Sequence, residues 1–130
     1  GYTSSAKKST VKANHKNVVK YIINETMKCT TGESYAMNNT LDCSKQSLQT
    51  WKDFVAKAVE SSLIDFKNPY DPSKPAITHG GDITKDTDVG FIRMRSPGTK
   101  IEVMSCTVTP CAATRCTSDN HICSGDINLN

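Results

Sequence analysis

Apolar residues recur at helical spacing over the front of the chain. Val11, His15, Val18, Val19, Ile22, Ile23 and Met27 fall at offsets of three, four, seven and eight, which predicts an amphipathic helix over Ser5–Lys28 with those residues turned to a core. On the opposite side Lys8, Lys12, Lys16 and Lys20 follow one another at steps of four, a basic stripe that drifts slowly round the helix. A solvated face is the plain reading of such a stripe, and contact with phosphates or an acidic partner surface is the functional one. Between Gly1 and Thr10 only Tyr2 and Ala6 interrupt the polar residues, so the helix enters its core gradually, like the lower part of a longer rod. Cys29 ends it, and Thr30, Thr31 and Gly32 follow as a stop signal.

After a loop to Cys43, Leu48, Trp51, Val55, Ala58, Val59 and Leu63 mark a second amphipathic helix over Ser44–Asp65, capped by Asp42 or Ser44 and with Trp51 in the core. Past Phe66 the pattern changes. Pro69, Pro72 and Pro75 punctuate a crossing that is neither helix interior nor central strand, and Gly80-Gly81 marks another turn. Val89–Arg95 reads as a strand, Ser96-Pro97-Gly98-Thr99 as a hairpin connection, and Lys100–Val108 as the antiparallel partner. Short extended pieces around Ala113–Thr117 and His121–Cys123 are candidates for edge strands. Helices first and sheet afterwards make this an α+β chain, and 130 residues make it one domain.

Composition adds a constraint on stability and on place. With 36% apolar residues the core is lean, and six cysteines offer compensation: Cys29 and Cys43 near the front, Cys106, Cys111, Cys116 and Cys123 near the end. An even count in a small domain reads as a disulfide framework, hence as a protein that works outside the cytosol. Zinc is the competing explanation, with His121 two residues before Cys123, but gaps of Cys-x4-Cys, Cys-x4-Cys and Cys-x6-Cys fit zinc knuckles poorly. Cys29 with Cys43 is the expected front bridge, tying the end of one helix to the start of the next. For the rear four, Cys106 with Cys123 around Cys111 with Cys116 is expected. No apolar run approaches the roughly 20 residues that cross a bilayer, so a targeting segment is expected to lie ahead of this sequence.

The net charge of +3 is too small to require nucleic acid as a partner. Asp82, Asp86 and Asp88 lie in a loop before a strand with oxygen spacing that could hold calcium; no glutamate closes the set, Lys85 sits among them, and surface loops are commonly acidic for solubility alone, which is the plainer reading. The chain has no Gly-x-Ser-x-Gly elbow, no His-Glu-x-x-His and no phosphate-cradling glycine loop. Ser5-x-x-Lys8, Ser9-x-x-Lys12 and Ser118-Asp119-Asn120 mimic fragments of the penicillin-binding signature, but the chain is too short for that fold and lacks Lys-Thr-Gly. His15, His79 and His121 are scattered without a neighbouring nucleophile that the sequence identifies. A non-enzymatic protein without a cofactor is expected.

The order of parts resembles the type IV pilins and their pseudopilin relatives in type II secretion. The resemblance rests on Ala6-Lys7-Lys8-Ser9-Thr10-Val11-Lys12-Ala13-Asn14, which looks like the lower half of the long pilin helix. A connecting region over Cys29–Ile77, an antiparallel sheet from Val89 and a cysteine-bearing C-terminal region complete it. It implies a pilin-like fold, the long helix packed on a small antiparallel sheet. It also implies a filament subunit at the cell surface that serves adhesion, twitching motility or DNA uptake. The expected partners are other pilin subunits, the pilus assembly machinery, and DNA or surfaces; the stripe of Lys8, Lys12, Lys16 and Lys20 is a candidate polyanion contact, though the filament would largely cover it. The apolar half-helix that anchors such subunits in the inner membrane before assembly is not in this sequence, so the resemblance implies a cut at Gly1 or Tyr2. Six cysteines exceed the single C-terminal bridge common in the family. A secretion pseudopilin, for which calcium at Asp82, Asp86 or Asp88 would speak, and an unrelated secreted binding module are the alternatives.

Overall fold

The structure, a computed structural model, describes residues 3–111, 116 and 120–129. Helix α1 spans Ser4–Thr30. At its N-cap the Thr3 hydroxyl accepts from the Ala6 amide, satisfying a donor that the first turn would otherwise orphan. At the other end the Thr31 amide donates to the Met27 carbonyl, and Gly32 turns the chain at φ +102°. Val11, His15, Val18, Ile22 and Cys29 are its buried residues.

A short antiparallel ribbon follows, β1 (Tyr35–Ala36) with β2 (Leu41–Asp42), and the Met37 amide in its turn donates to the Glu25 carboxylate at 2.7 Å. The ribbon is thereby fastened to α1 a second time, the first fastening being the expected Cys29–Cys43 disulfide. The second helix, α2, spans Trp51–Ser62 and not Ser44–Asp65. Asp42 explains the late start: its carboxylate caps a separate 3-10 turn at Cys43–Lys45 by accepting from the Ser44 amide, and the bridge at Cys43 holds that turn on α1. Leu48 therefore precedes the helix and is exposed, while Trp51, Val55, Ala56, Ala58 and Val59 face the core.

The proline-rich crossing forms a second ribbon, β3 (Lys67–Asn68) with β4 (Asp71–Pro75), largely exposed as proline-bearing strands require. The main sheet has the order β5-β6-β7-β8, with β5 at Ile77–His79, β6 at Ile92–Arg95, β7 at Lys100–Cys106 and β8 at His121–Asn128. The β6–β7 hairpin is antiparallel, as the sequence pattern predicts, and β8 pairs antiparallel with β7. Strand β5 lies parallel to β6, so the sheet is mixed; three residues are too few to announce themselves by alternation. Strand β6 begins at Ile92, later than Val89, because a 3-10 turn at Asp86–Asp88 and Gly90 at φ +84° still carry the chain round a corner. The expected piece at 113–117 lies outside the described residues except for Cys116. The expected piece at His121–Cys123 is the start of an eight-residue strand.

Alternation gives the sheet two different faces. Ile92, Met94, Ile101, Val103 and Ile127 meet Val18 and Ile22 of α1 and Val55 and Val59 of α2 in the main core. The opposite face carries a smaller cluster of Ile83, Met104, Cys106 and Cys111. The rear bridges are Cys106–Cys111 and Cys116–Cys123, which corrects the expected nesting. Register is the reason: Cys106 stands opposite His121 and Cys123 opposite Met104, so Cys106 and Cys123 are diagonal neighbours, at a spacing of roughly 7–8 Å that a disulfide does not span.

Candidate functional site

Helix α1 has a second apolar row that the sheet leaves uncovered. Ile23 and Met27, which the periodicity assigns to the core, are 43% and 55% exposed, and Val19 is half-buried. One face of a helix holds Val18 and Ile22; their neighbours Val19 and Ile23 lie about 100° further round, beyond the edge of the interface. The doubled pairs Val18-Val19 and Ile22-Ile23 were the available signal, since they widen the apolar arc past what one sheet covers. Between this row and β8 run two hollows in line. The first has Lys16, Val19 and Lys20 facing Ile122 and Ser124; the second has Ile23 and Met27 facing Ile127 and Leu129.

Of the lysine stripe, Lys16 and Lys20 line the first hollow. Lys12, Lys16 and Lys20 are exposed and Lys8 is half-buried, and none of the four takes part in an ion pair among the described residues. Lys7, just off the stripe, lies over the Tyr70 ring at 5.4 Å. Helix α1 carries six lysines and a single carboxylate, Glu25. That carboxylate is occupied by Lys28 at 2.7 Å and by the Met37 amide.

The three aspartates proposed for calcium do not converge. Asp88 is buried and accepts from the Thr84 and Lys85 amides at 2.8 and 3.0 Å and from Arg93 at 3.0 Å. Burial pushes its carboxyl up, but these amides and the guanidinium outweigh burial and hold it below the usual carboxylate range. Asp86 accepts from the Cys111 amide at 2.9 Å, and Asp82 from the Ile83 amide with Arg95 at 3.5 Å. Each carboxylate organises its own piece of loop, and among the described residues they form no joint ligand set.

Cys116, His121 and Cys123 do come together, with ligand atoms within 4.8 Å of one another. Both sulfurs are spent in one disulfide, and a metal requires thiolates, so the cluster as it stands is a crosslink. The structure also gives two histidines a serine neighbour. His15 Nδ1 lies 2.6 Å from Ser105 Oγ, but Ser105 is wholly buried, which shuts out any substrate. His79 Nε2 is 3.4 Å from Ser96 Oγ and 3.9 Å from Asp53, both on the same ring nitrogen. A relay needs the acid on one nitrogen and the nucleophile on the other, so this is not a triad geometry.

Comparison with family models, with curated proteins and with solved structures finds no match to this chain.

Proposed function

We propose that this chain is the globular part of a structural filament subunit of type IV pilin kind, displayed outside the cell. One observation carries the reading: a 27-residue helix is covered by the sheet along one side only, leaving Ile23 and Met27, with the half-buried Val19 beside them, open to neighbours. A helix with two apolar sides is built for burial on both, and lateral assembly supplies the second burial. Three disulfides suit a subunit that faces proteases and shear without a thiol-reducing environment. The function is assembly, and adhesion, twitching motility or DNA uptake would be carried by the assembled filament. The pseudopilin alternative draws nothing from Asp82, Asp86 and Asp88, each of which is engaged separately.

The test uses the native source. Filaments sheared from the cell surface are decorated with antibody against this domain, and the mature N-terminus of the labelled protein is read by mass spectrometry. Labelled filaments whose subunit continues upstream into an apolar helix support assembly. Label confined to a free protein released by an ordinary cleaved secretory signal overturns it.

A further inference from the structure

The two hollows between α1 and β8 together flank α1 from His15 to Thr30, about 22 Å at the helical rise, or some four turns, and form one interrupted groove. Their floor is apolar and the end at Lys16 and Lys20 is cationic, and among the described residues no carboxylate lines either hollow. Strand β8 is the edge of the sheet, which by itself would invite an added strand. A bulge argues against that occupant. The register shifts between Glu102 and Met104, Gly125 sits at φ +72°, and the Val103 amide bonds the Ser124 hydroxyl where a regular ladder would continue. An edge broken in its middle pairs poorly with a straight strand, whereas a helix needs no backbone partner.

We infer that this groove receives an amphipathic helix of about four turns from a different protein, with apolar residues at steps of four over Val19, Ile23 and Met27 and carboxylates beside Lys16 and Lys20. A second copy of α1 is the wrong occupant by charge. Laid parallel it sets Lys16 and Lys20 against their own equivalents; laid antiparallel it brings up Lys28, and Glu25 is already engaged. A helix rich in glutamate meets both demands, burying the exposed row and neutralising the lysines. The inference uses the same open row that filament assembly would bury, so it concerns the subunit before assembly; it is read on the isolated domain, and its failure leaves the filament reading intact.

The experiment titrates the oxidised chain, labelled for amide NMR, with a synthetic helix of about 15 residues bearing leucines at steps of four and glutamates along one flank. A sister peptide replaces every glutamate by lysine. Expected are shifts at Val19, Ile23, Met27, Ile122 and Ile127 with the acidic peptide, binding roughly tenfold weaker for the sister peptide, and loss of binding in Ile23→Asp. The double variant Lys16→Glu/Lys20→Glu should reverse the preference between the peptides, which a misfolded protein cannot do. Equal binding of both peptides overturns the inference, as does no shift up to the peptide's solubility limit. So does movement of these resonances with a DNA duplex but not the peptide, or with protein concentration alone, which would reveal a polyanion or a second copy as the occupant.

Discussion

His15 is buried against the sheet with its Nδ1 on Ser105, and burial pushes its pKa down to about 4. Around it, β7 presents Ser105, β8 presents Ile122 and Ser124, and α1 adds Lys12 and Lys16 at the surface; among the described residues no carboxylate is placed to welcome an imidazolium. An unfolded histidine titrates near 6.5, so between that value and about 4 the unfolded chain holds a proton that the folded chain refuses. The contribution is complete above pH 6.5 and is lost as pH falls towards 4, to a total of about 3 kcal/mol. Urea unfolding at pH 7.5 and pH 4.5 should show this loss, and His15→Gln should remove most of it, because depressed carboxylates such as Asp88 lose their contribution only as pH falls through 3.8 and below. An equal fall in both proteins would remove His15 as the cause.

Gly90 answers to a different constraint. Its φ of +84° is unfavourable for any side chain, and a Cβ there would overlap the Asn68 side chain and approach the Tyr70 ring to 2.8 Å. Asn68 is buried and bonds both the Val89 carbonyl and the Tyr70 amide, so it has nowhere to retreat. Gly90→Ala is expected to cost about 2–4 kcal/mol in chemical denaturation, strain and overlap together. Gly98→Ala is the control: at φ +61° it meets no atom within 4 Å, and about 1 kcal/mol of backbone strain is all it should lose. Similar losses at the two glycines would mean that crowding by Asn68 is unimportant.

Among the elements, α1 and the Cys29–Cys43 staple were the parts most open to reading from sequence. A 27-residue helix repeats its period often enough to be unmistakable, and its stop signal sits beside the cysteine. Periodicity does not settle the width of the partner, so it assigns Ile23 and Met27 to a core that Val18, Ile22 and Cys29 reach and they do not. The start of α2 was hidden for a local reason, Asp42 having capped a shorter turn before the apolar pattern began. The staple joins residues 14 apart, a loop closure worth about 3 kcal/mol in the unfolded state. Replacing both Cys29 and Cys43 by Ala should therefore lower stability by about that amount, with the Glu25 to Met37 bond still holding the ribbon. Urea titration of the double variant measures it, and a change under about 1 kcal/mol would assign the ribbon's placement to packing alone.

At the scale of the molecule, the sheet's second face was the feature least legible beforehand. The pairing of the rear cysteines depends on which strand residues stand opposite one another, and register is a long-range property that cysteine spacing does not encode. The same register divides the protein into unequal halves. On one face α1, α2 and the sheet share the main core; on the other, Ile83, Met104, Cys106 and Cys111 form a cluster held by bridges of only five and seven residues' separation. Helix α1 makes no part of that smaller cluster, so the two should unfold by different routes. With Cys106, Cys111, Cys116 and Cys123 all replaced by Ala, amide exchange at Ile83 and Thr107 should accelerate strongly, since each lost closure removes about 2 kcal/mol of local constraint. Protection at Val18, Ile22, Val59 and Ile92 should stay within about tenfold of the parent, because their contacts lie wholly on the helical face. Uniform acceleration across both sets would instead show β7 transmitting the loss through the sheet, making the cysteine-braced face a condition of the whole fold and no mere attachment to it.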